Sequence, residues 1–350
     1  MPDSLVISVD AMGGDHGPFV TVPALGVALA RPGGEALRFL VHGDEAQSAP
    51  LLAKAPAAVR AAVEVRHTDK VIAGDEKPAQ AMRRGKGASL WNAIQAVKDG
   101  QAQAVVSGGN TGALMAISKL ILRMVGELDR PAIVVAWPTL KGITAVLDVG
   151  ANIDCDAERL TEFAIMGSAF HRALYGTARP TVGILNVGSE DEKGHDDVRG
   201  AHKLLREMTL DFDYHGFVEG TDIASGTVDV VVTDGFTGNV ALKTAEGLAR
   251  FFAAELRGAL KGDLRGIAGA MLAAPALRRL GERLQPPAGG ILLGLNGIVI
   301  KSHGGADSRG FADAIGVAAG MARSGFNAEI ARSLKCLTSA LSTAVAEEKS

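Results

Sequence analysis

Cysteine is scarce in this 350-residue chain, with Cys155 and Cys336 the only two. They offer no metal-ligand spacing, and they suit a reducing compartment. An excess of one charge is missing too: 36 Lys and Arg face 39 Asp and Glu, a formal net charge of −3. That balance excludes bulk nucleic-acid binding, which needs a strongly basic face. No run of about 18 uncharged apolar residues occurs, so no membrane-spanning helix is expected. Asp3 and Asp10 flank the first apolar run, so no secretory leader is read there. Three chemical signatures are also lacking. There is no Gly-x-Ser-x-Gly elbow for a covalent nucleophile, no Walker lysine, and no dinucleotide fingerprint. Neither a metal nor a nucleotide cofactor is expected.

What is present is 47% hydrophobic residues and 44 glycines without a repeat, the mark of a large core joined by tight turns. Apolar, β-branched runs are read as strands at Leu5–Val9, Leu37–His42, Val63–Arg66, Ala104–Ser107, Ala132–Ala136, Ile143–Leu147, Val182–Asn186, Val228–Thr233 and Ile298–Lys301. Several are apolar at nearly every position, as strands covered on both faces are. Helical segments such as Ala88–Lys98 and Thr111–Arg123 separate many of them. The pattern predicts a doubly wound, mostly parallel α/β sheet. Ala132–Ala136 and Ile143–Leu147 lie too close for a crossover and imply a hairpin or an antiparallel edge. From Phe236 to about Leu284 no strand is read. Two long helical patterns follow one another there, with Pro275 expected to kink or restart the second. The expected organisation is one α/β domain over residues 1–350 with a helical protrusion at 244–288.

Six of these strands run into polar, glycine-bearing turns: Asp10 to His16, Ser107 to Gly112, Asp148 to Asn152, Asn186 to Gly194, Asp234 to Asn239 and Lys301 to Gly305. If the strands are parallel, all six turns meet along one carboxyl edge, where open α/β sheets bind ligands. Ser107, Gly108, Gly109, Asn110, Thr111 and Gly112 form a strand–turn–helix start that presents backbone N–H groups to an anion. Lys193, within Glu190-Asp-Glu-Lys-Gly194, offers an ammonium for phosphate or for a developing oxyanion. Asp10, Asp15 and His16 are candidate acid, base or anion-positioning groups. Lys301 and His303 lie just past a strand, and Lys243 lies one helical turn after Asn239. Arg83, Arg84 and Lys86 form a small basic patch for an acidic partner or a ligand phosphate. In the protrusion, Leu256, Leu260, Leu264, Ile267 and Met271 recur at helical spacing beside Arg257, Lys261 and Arg265. That suits a membrane-surface helix or a helix packed on a dimer mate.

Taken together, the segments Val9–Pro18, Arg83-Arg84, Ser107–Ala113, Leu147–Asn152, Leu185–Gly194, Gly216–Gly220, Val231–Val240, Leu293–Gly297 and Lys301–Gly304 resemble the PlsX-type phosphate acyltransferases of bacterial phospholipid synthesis, over nearly the whole chain. The resemblance implies a Rossmann-like three-layer α/β/α sandwich of the isocitrate dehydrogenase and phosphotransacetylase kind. It implies transfer of a fatty-acyl group from acyl-acyl carrier protein to inorganic phosphate. It also implies a cofactor-free homodimer, cytoplasmic and peripherally bound to the membrane, feeding a membrane glycerol-phosphate acyltransferase. The family's lysine and asparagine fall on Lys193 and Asn239. One departure is Ala288-Gly-Gly-Ile291, where relatives often carry an aromatic or proline; it bears on the acyl or dimer surface. Rival readings are a phosphotransacetylase acting on acetyl-CoA, a dehydrogenase on a related fold, which the missing dinucleotide fingerprint disfavours, and a noncatalytic lipid-synthesis scaffold, which the six polar strand-end turns argue against.

Overall fold

The structure, a computed structural model, describes residues 4–126, 128–262, 264–283 and 289–325. Cys336, Ala288 and the side chain of Leu264 lie outside the described residues. The chain opens with β1 (Leu5–Asp10), α1 (Pro18–Leu29), β2 (Leu37–Gly43), α2 (Glu45–Ala53), α3 (Ala57–Ala62) and β3 (Val63–His67). Next come α4 (Pro78–Arg84), α5 (Ser89–Lys98), β4 (Ala104–Ser107) and α6 (Thr111–Leu122). The middle holds β5 (Ala132–Pro138), β6 (Ile143–Leu147), α7 (Ala157–Tyr175), β7 (Thr181–Leu185), α8 (Asp196–Glu207), β8 (Asp213–Val218), α9 (Gly220–Ser225) and β9 (Val230–Val232). It ends with α10 (Gly235–Lys261), α11 (Leu264–Arg283), β10 (Gly290–Leu293), β11 (Ile298–Lys301) and α12 (Ser308–Ser324).

Strand side chains alternate between the two faces of the sheet, so each strand feeds two cores. Val106, Val230 and Val232 join Phe163 and Phe170 of α7 and Phe311 of α12 on one face. Val105, Val231 and Val299 join Leu90 and Ile94 of α5 and Leu114 and Ile117 of α6 on the other. The result is the expected three-layer α/β/α sandwich. Helix starts are specified locally. Asp44, Asp156, Asp234 and Asp307 each accept a backbone N–H from the first turn of α2, α7, α10 and α12, filling a donor the helix leaves unpaired.

The eleven strands are ordered β3-β2-β1-β4-β11-β10-β5-β6-β9-β7-β8. Most neighbours are parallel, but β10 is antiparallel to both β11 and β5, and β5 is antiparallel to β6. The strands β1 to β5 and β11 therefore point one way, and β6 to β10 the other. This corrects the expectation of one common carboxyl edge. The turns after β1, β4 and β11 form one group, and those after β6, β7 and β9 form another at the opposite edge. The expected hairpin of β5 and β6 is present, yet it lies inside the sheet rather than at its edge. Two strands escaped the sequence reading. β8 is Asp-Tyr-His-Gly-Phe-Val, too mixed to read as a buried run, and β10 has only four residues. Gly289 leads into β10 at φ +151°, where an added Cβ would stand 2.0 Å from the Lys301 carbonyl oxygen.

Both long helices of the strand-free stretch are present, and α11 continues through Pro275 rather than restarting there. Leu256, Ile267 and Met271 are exposed, and Leu260 is half-buried. Phe251, Phe252 and Leu272 are exposed with them. Among the described residues no helix is long and apolar enough to cross a membrane.

Candidate active site

The first group of turns is built on β1, β4 and β11. In register, Asp10 lies beside Ser107, and Ser107 beside Lys301. The Ser107 hydroxyl donates to Asp10 Oδ2 at 2.7 Å and accepts the Gly109 N–H at 3.0 Å. Asp10 is 2% exposed, and its Oδ1 has no hydrogen-bond partner among the described residues. Burial raises its pKa above the usual carboxylate value, against hydrogen bonds that lower it. The Lys301 ammonium donates to the Gly108 carbonyl at 3.2 Å and to that of Ser302. Burial draws its pKa down to about 8, which nearby Asp10 and Asp15 oppose and Lys243 assists. The turns are nested: the Asp15 N–H donates to the Gly304 carbonyl at 2.9 Å. A Cβ on Gly13 would lie 2.5 Å from Asp10 Oδ2 and 2.7 Å from the Gly109 nitrogen. Only glycine permits that approach. His16 and His303 are exposed at the rim, where His303 Nδ1 accepts the Gly305 N–H. A cavity of about 470 Å³ lined by Met12, Asp15, His16 and Phe19 opens beside them.

At the start of α6 the N–H groups of Thr111 and Gly112 make no hydrogen bond among the described residues. Asn110 is differently engaged. Its Oδ1 accepts the Ala113 N–H at 3.0 Å, and its Nδ2 donates to the carbonyls of Gly74 at 2.8 Å and Glu76 at 2.9 Å. An amide nitrogen has two hydrogens, so this side chain keeps no N–H for an oxyanion.

The second group of turns follows β6, β7 and β9. Asp148 is fully buried and accepts the backbone N–H groups of Ile133, Ala151 and Asn152, together with the Asn152 amide. It shapes its own turn, and the Asn152 carbonyl then receives the Gly235 N–H at the start of α10. Asn239 emerges exposed from the first turn of α10 beside Gly150. Its side-chain amide makes no hydrogen bond among the described residues.

Lys193 is also exposed, and its ammonium has no partner among the described residues, although three acids precede it. The packing of α8 explains why. Asp191 lies 3.5 Å from His202 Nε2 and 3.6 Å from Arg206, and His202 Nδ1 is 2.8 Å from the Tyr214 hydroxyl. Arg199 donates to the Gly194 carbonyl at 2.8 Å, and Asn186 Nδ2 to the Lys193 carbonyl at 3.1 Å. The loop is thus held by its acid and its carbonyls, and none of these contacts engages the lysine tip. The sequence reading missed these supporting residues; the 199, 202 and 206 spacing on one helix face was the available signal. A second cavity, of about 800 Å³, joins Ile153, Cys155, His195, Asp234 and Phe236. Burial, with the charge of Asp148, pushes the Cys155 thiol up to about 12, so it is no nucleophile at neutral pH.

The two groups share one face of the sheet. Leu242 of α10 packs in the same core as α6, and α10 carries Lys243 toward the first group, where its charge reaches Lys301. Lys243 itself pairs with Glu246 at 2.9 Å. Arg83, Arg84 and Lys86 are exposed at and just beyond the end of α4. Among the described residues no three His, Cys, Asp or Glu side chains gather as metal ligands.

A family model described as fatty acid synthesis protein matches residues 5–329. The chain is 66% identical over 341 residues to the phosphate acyltransferase of Caulobacter vibrioides, covering 97% of this chain and 94% of that one. It is 60% identical over 344 residues to the phosphate acyltransferase of Phenylobacterium zucineum, covering 98% and 97%. Among solved structures it resembles a phosphotransacetylase from Streptococcus pyogenes, with TM-score 0.60 and 18% identity over 92% of this chain and 95% of that one. A 4-hydroxythreonine-4-phosphate dehydrogenase from Klebsiella pneumoniae gives 0.53 and 15% over 91% and 99%. At such identities the structures speak to fold alone.

Proposed function

Since this chain belongs to the phosphate acyltransferases of the fatty acid synthesis protein family, we propose that it moves a long-chain acyl group from an acyl carrier protein thioester onto inorganic phosphate, yielding an acyl phosphate for phospholipid synthesis. The observation that carries this reading is the strand–turn–helix at Ser107–Gly112, where the Thr111 and Gly112 N–H groups have no hydrogen-bond partner among the described residues and a half-buried lysine, Lys301, binds the Gly108 carbonyl. A helix start of this kind favours an oxyanion through both its free donors and its dipole. Thr111, Gly112 and Lys301 hold the phosphate, with His16 and His303 at the mouth.

Phosphate is already ionised at neutral pH, so alignment and electrostatics carry most of the catalysis. A phosphate oxygen forms the new C–O bond while the carbonyl pair moves onto oxygen. Collapse of that oxyanion breaks the C–S bond, and the thiolate departs with the pair and takes a proton from water. Lys193 and Asn239, uncommitted at the other group of turns, meet the oxyanion when the two halves of the face close on the substrates; closures of this kind are common in enzymes. Arg83, Arg84 and Lys86 receive the acidic carrier. The exposed apolar face of α10 and α11 rests on the membrane surface near a membrane glycerol-phosphate acyltransferase, and the protein works as a cytoplasmic homodimer without a cofactor.

The deciding assay supplies palmitoyl carrier protein and labelled phosphate. Removing an oxyanion donor costs about 2.7–4 kcal/mol, so Lys193→Ala should slow acyl phosphate formation by roughly two orders of magnitude. Near-normal turnover of that variant removes Lys193 from the reaction; no acyl phosphate from the unaltered protein removes the reaction itself.

A further inference from the structure

The basic patch sits on and just beyond a short helix that buries little of itself. α4 has seven residues, too few to be stable alone, and Ala81 is its single buried residue. The segment leading into it, residues 68–76, is strapped down at one end. Thr68 Oγ1 donates to the Gly87 carbonyl at 2.7 Å, Lys70 Nζ to the Lys86 carbonyl at 2.7 Å, and the Ser89 N–H to the Lys70 carbonyl at 2.9 Å. At its other end, the side chain that grips it is Asn110, which donates to the carbonyls of Gly74 and Glu76 just before α4 begins. A third carbonyl, that of Ala73, lies at 3.5 Å. The same amide caps α6 through Oδ1. Contact with α6 is close at this point: a Cβ on Gly112 would stand 2.7 Å from Pro78 Cγ, the first residue of α4.

We propose that Asn110 is a positioning residue that ties the carrier-docking helix α4 to the phosphate-holding turn, so that a carrier-borne donor and phosphate are presented to each other by one rigid unit. The proposal rests on the acyl-carrier reading above. The chemistry selects asparagine. Serine or threonine can cap a helix but has no second donor to grip a carbonyl pair, and aspartate would turn a negative oxygen toward those carbonyls. An amide alone faces a helix start with its oxygen and a chain of carbonyls with its nitrogen.

Asn110→Ser separates the two tasks, because serine keeps the cap and loses the clamp; Asn110→Thr is a second variant of the same design. KM is measured with palmitoyl carrier protein and with palmitoyl pantetheine, a thioester lacking the protein. Losing two carbonyl contacts should raise KM for the carrier-borne donor about tenfold more than for the carrier-free one. Amide exchange should speed up across residues 73–84 while residues 113–122 stay protected. Adding Arg83→Glu and Arg84→Glu to Asn110→Ser should bring less further loss than those two changes cause in the unaltered protein, since all act on one docking event. Equal losses with both donors, no loss with either, or unchanged exchange over 73–84 would each overturn the proposal. If the unaltered protein makes no acyl phosphate from either donor, it is the underlying functional reading that fails.

Discussion

Lys301 is a lysine made sensitive near neutral pH by where it sits. Burial disfavours its charged form and brings its pKa from 10.5 to about 8, so in the folded protein the charge is lost as pH rises through 8. KM for phosphate should therefore climb between about pH 7 and 9, and Lys301→Arg, whose guanidinium stays charged, should flatten that rise. Stability runs the other way. Between about pH 8 and 10.5 the unfolded chain binds more protons at this position, so the urea midpoint contribution from Lys301 should improve with pH over that window. A phosphate KM that ignores pH 8 would remove Lys301 from the phosphate site. Other residues were legible only in part. Lys193 and Asn239 stood out by type and motif, but that Lys193 has no acid paired with it among the described residues depends on Asp191 being drawn to His202 and Arg206. Asn110 stood out as a donor, and its donors turn out to be engaged by a segment some 35 residues upstream.

Elements place these residues through close backbone contacts. Gly238, in the first turn of α10, packs so tightly that a Cβ would lie 2.0 Å from the Asp148 carbonyl oxygen and 2.9 Å from Thr233 Cγ2. Gly238→Ala must push α10 off the β6 turn. It should cost at least about 1–3 kcal/mol in urea unfolding and should depress activity by moving Asn239. A variant as stable and active as the parent would show that the contact relaxes freely. α8 has the corresponding role for Lys193. Arg199→Ala frees the Gly194 carbonyl, and because small misplacements cost up to about 100-fold in rate, kcat should fall while the carrier KM holds. Unchanged kcat would show that the other contacts suffice. Strands and helices with strong periodicity were readable within a residue or two. β8 and β10 were not, because a short or mixed strand is recognisable only from the neighbours it pairs with.

At the scale of the molecule, the decisive feature is the reversal of strand direction across β10 and β5. It divides the polar turns between two edges, and the proposed reaction requires the helices on one shared face to bring them together on substrate. Phosphate plus a non-transferable acyl carrier analogue should slow amide exchange at residues 107–112 and at residues 186–194 and 234–240 in the same experiment. Protection confined to the first segment would detach Lys193 and Asn239 from the reaction. The amino-acid sequence by itself determined the layered α/β class, most strands, the glycine turns and the family, because apolar period, turn chemistry and motif order are local properties. Strand direction, the split of the turns and the engagement of Asn110 were decided by the tertiary structure alone. Each depends on which segments lie side by side, and pairing between distant strands leaves no mark in the residues of either one.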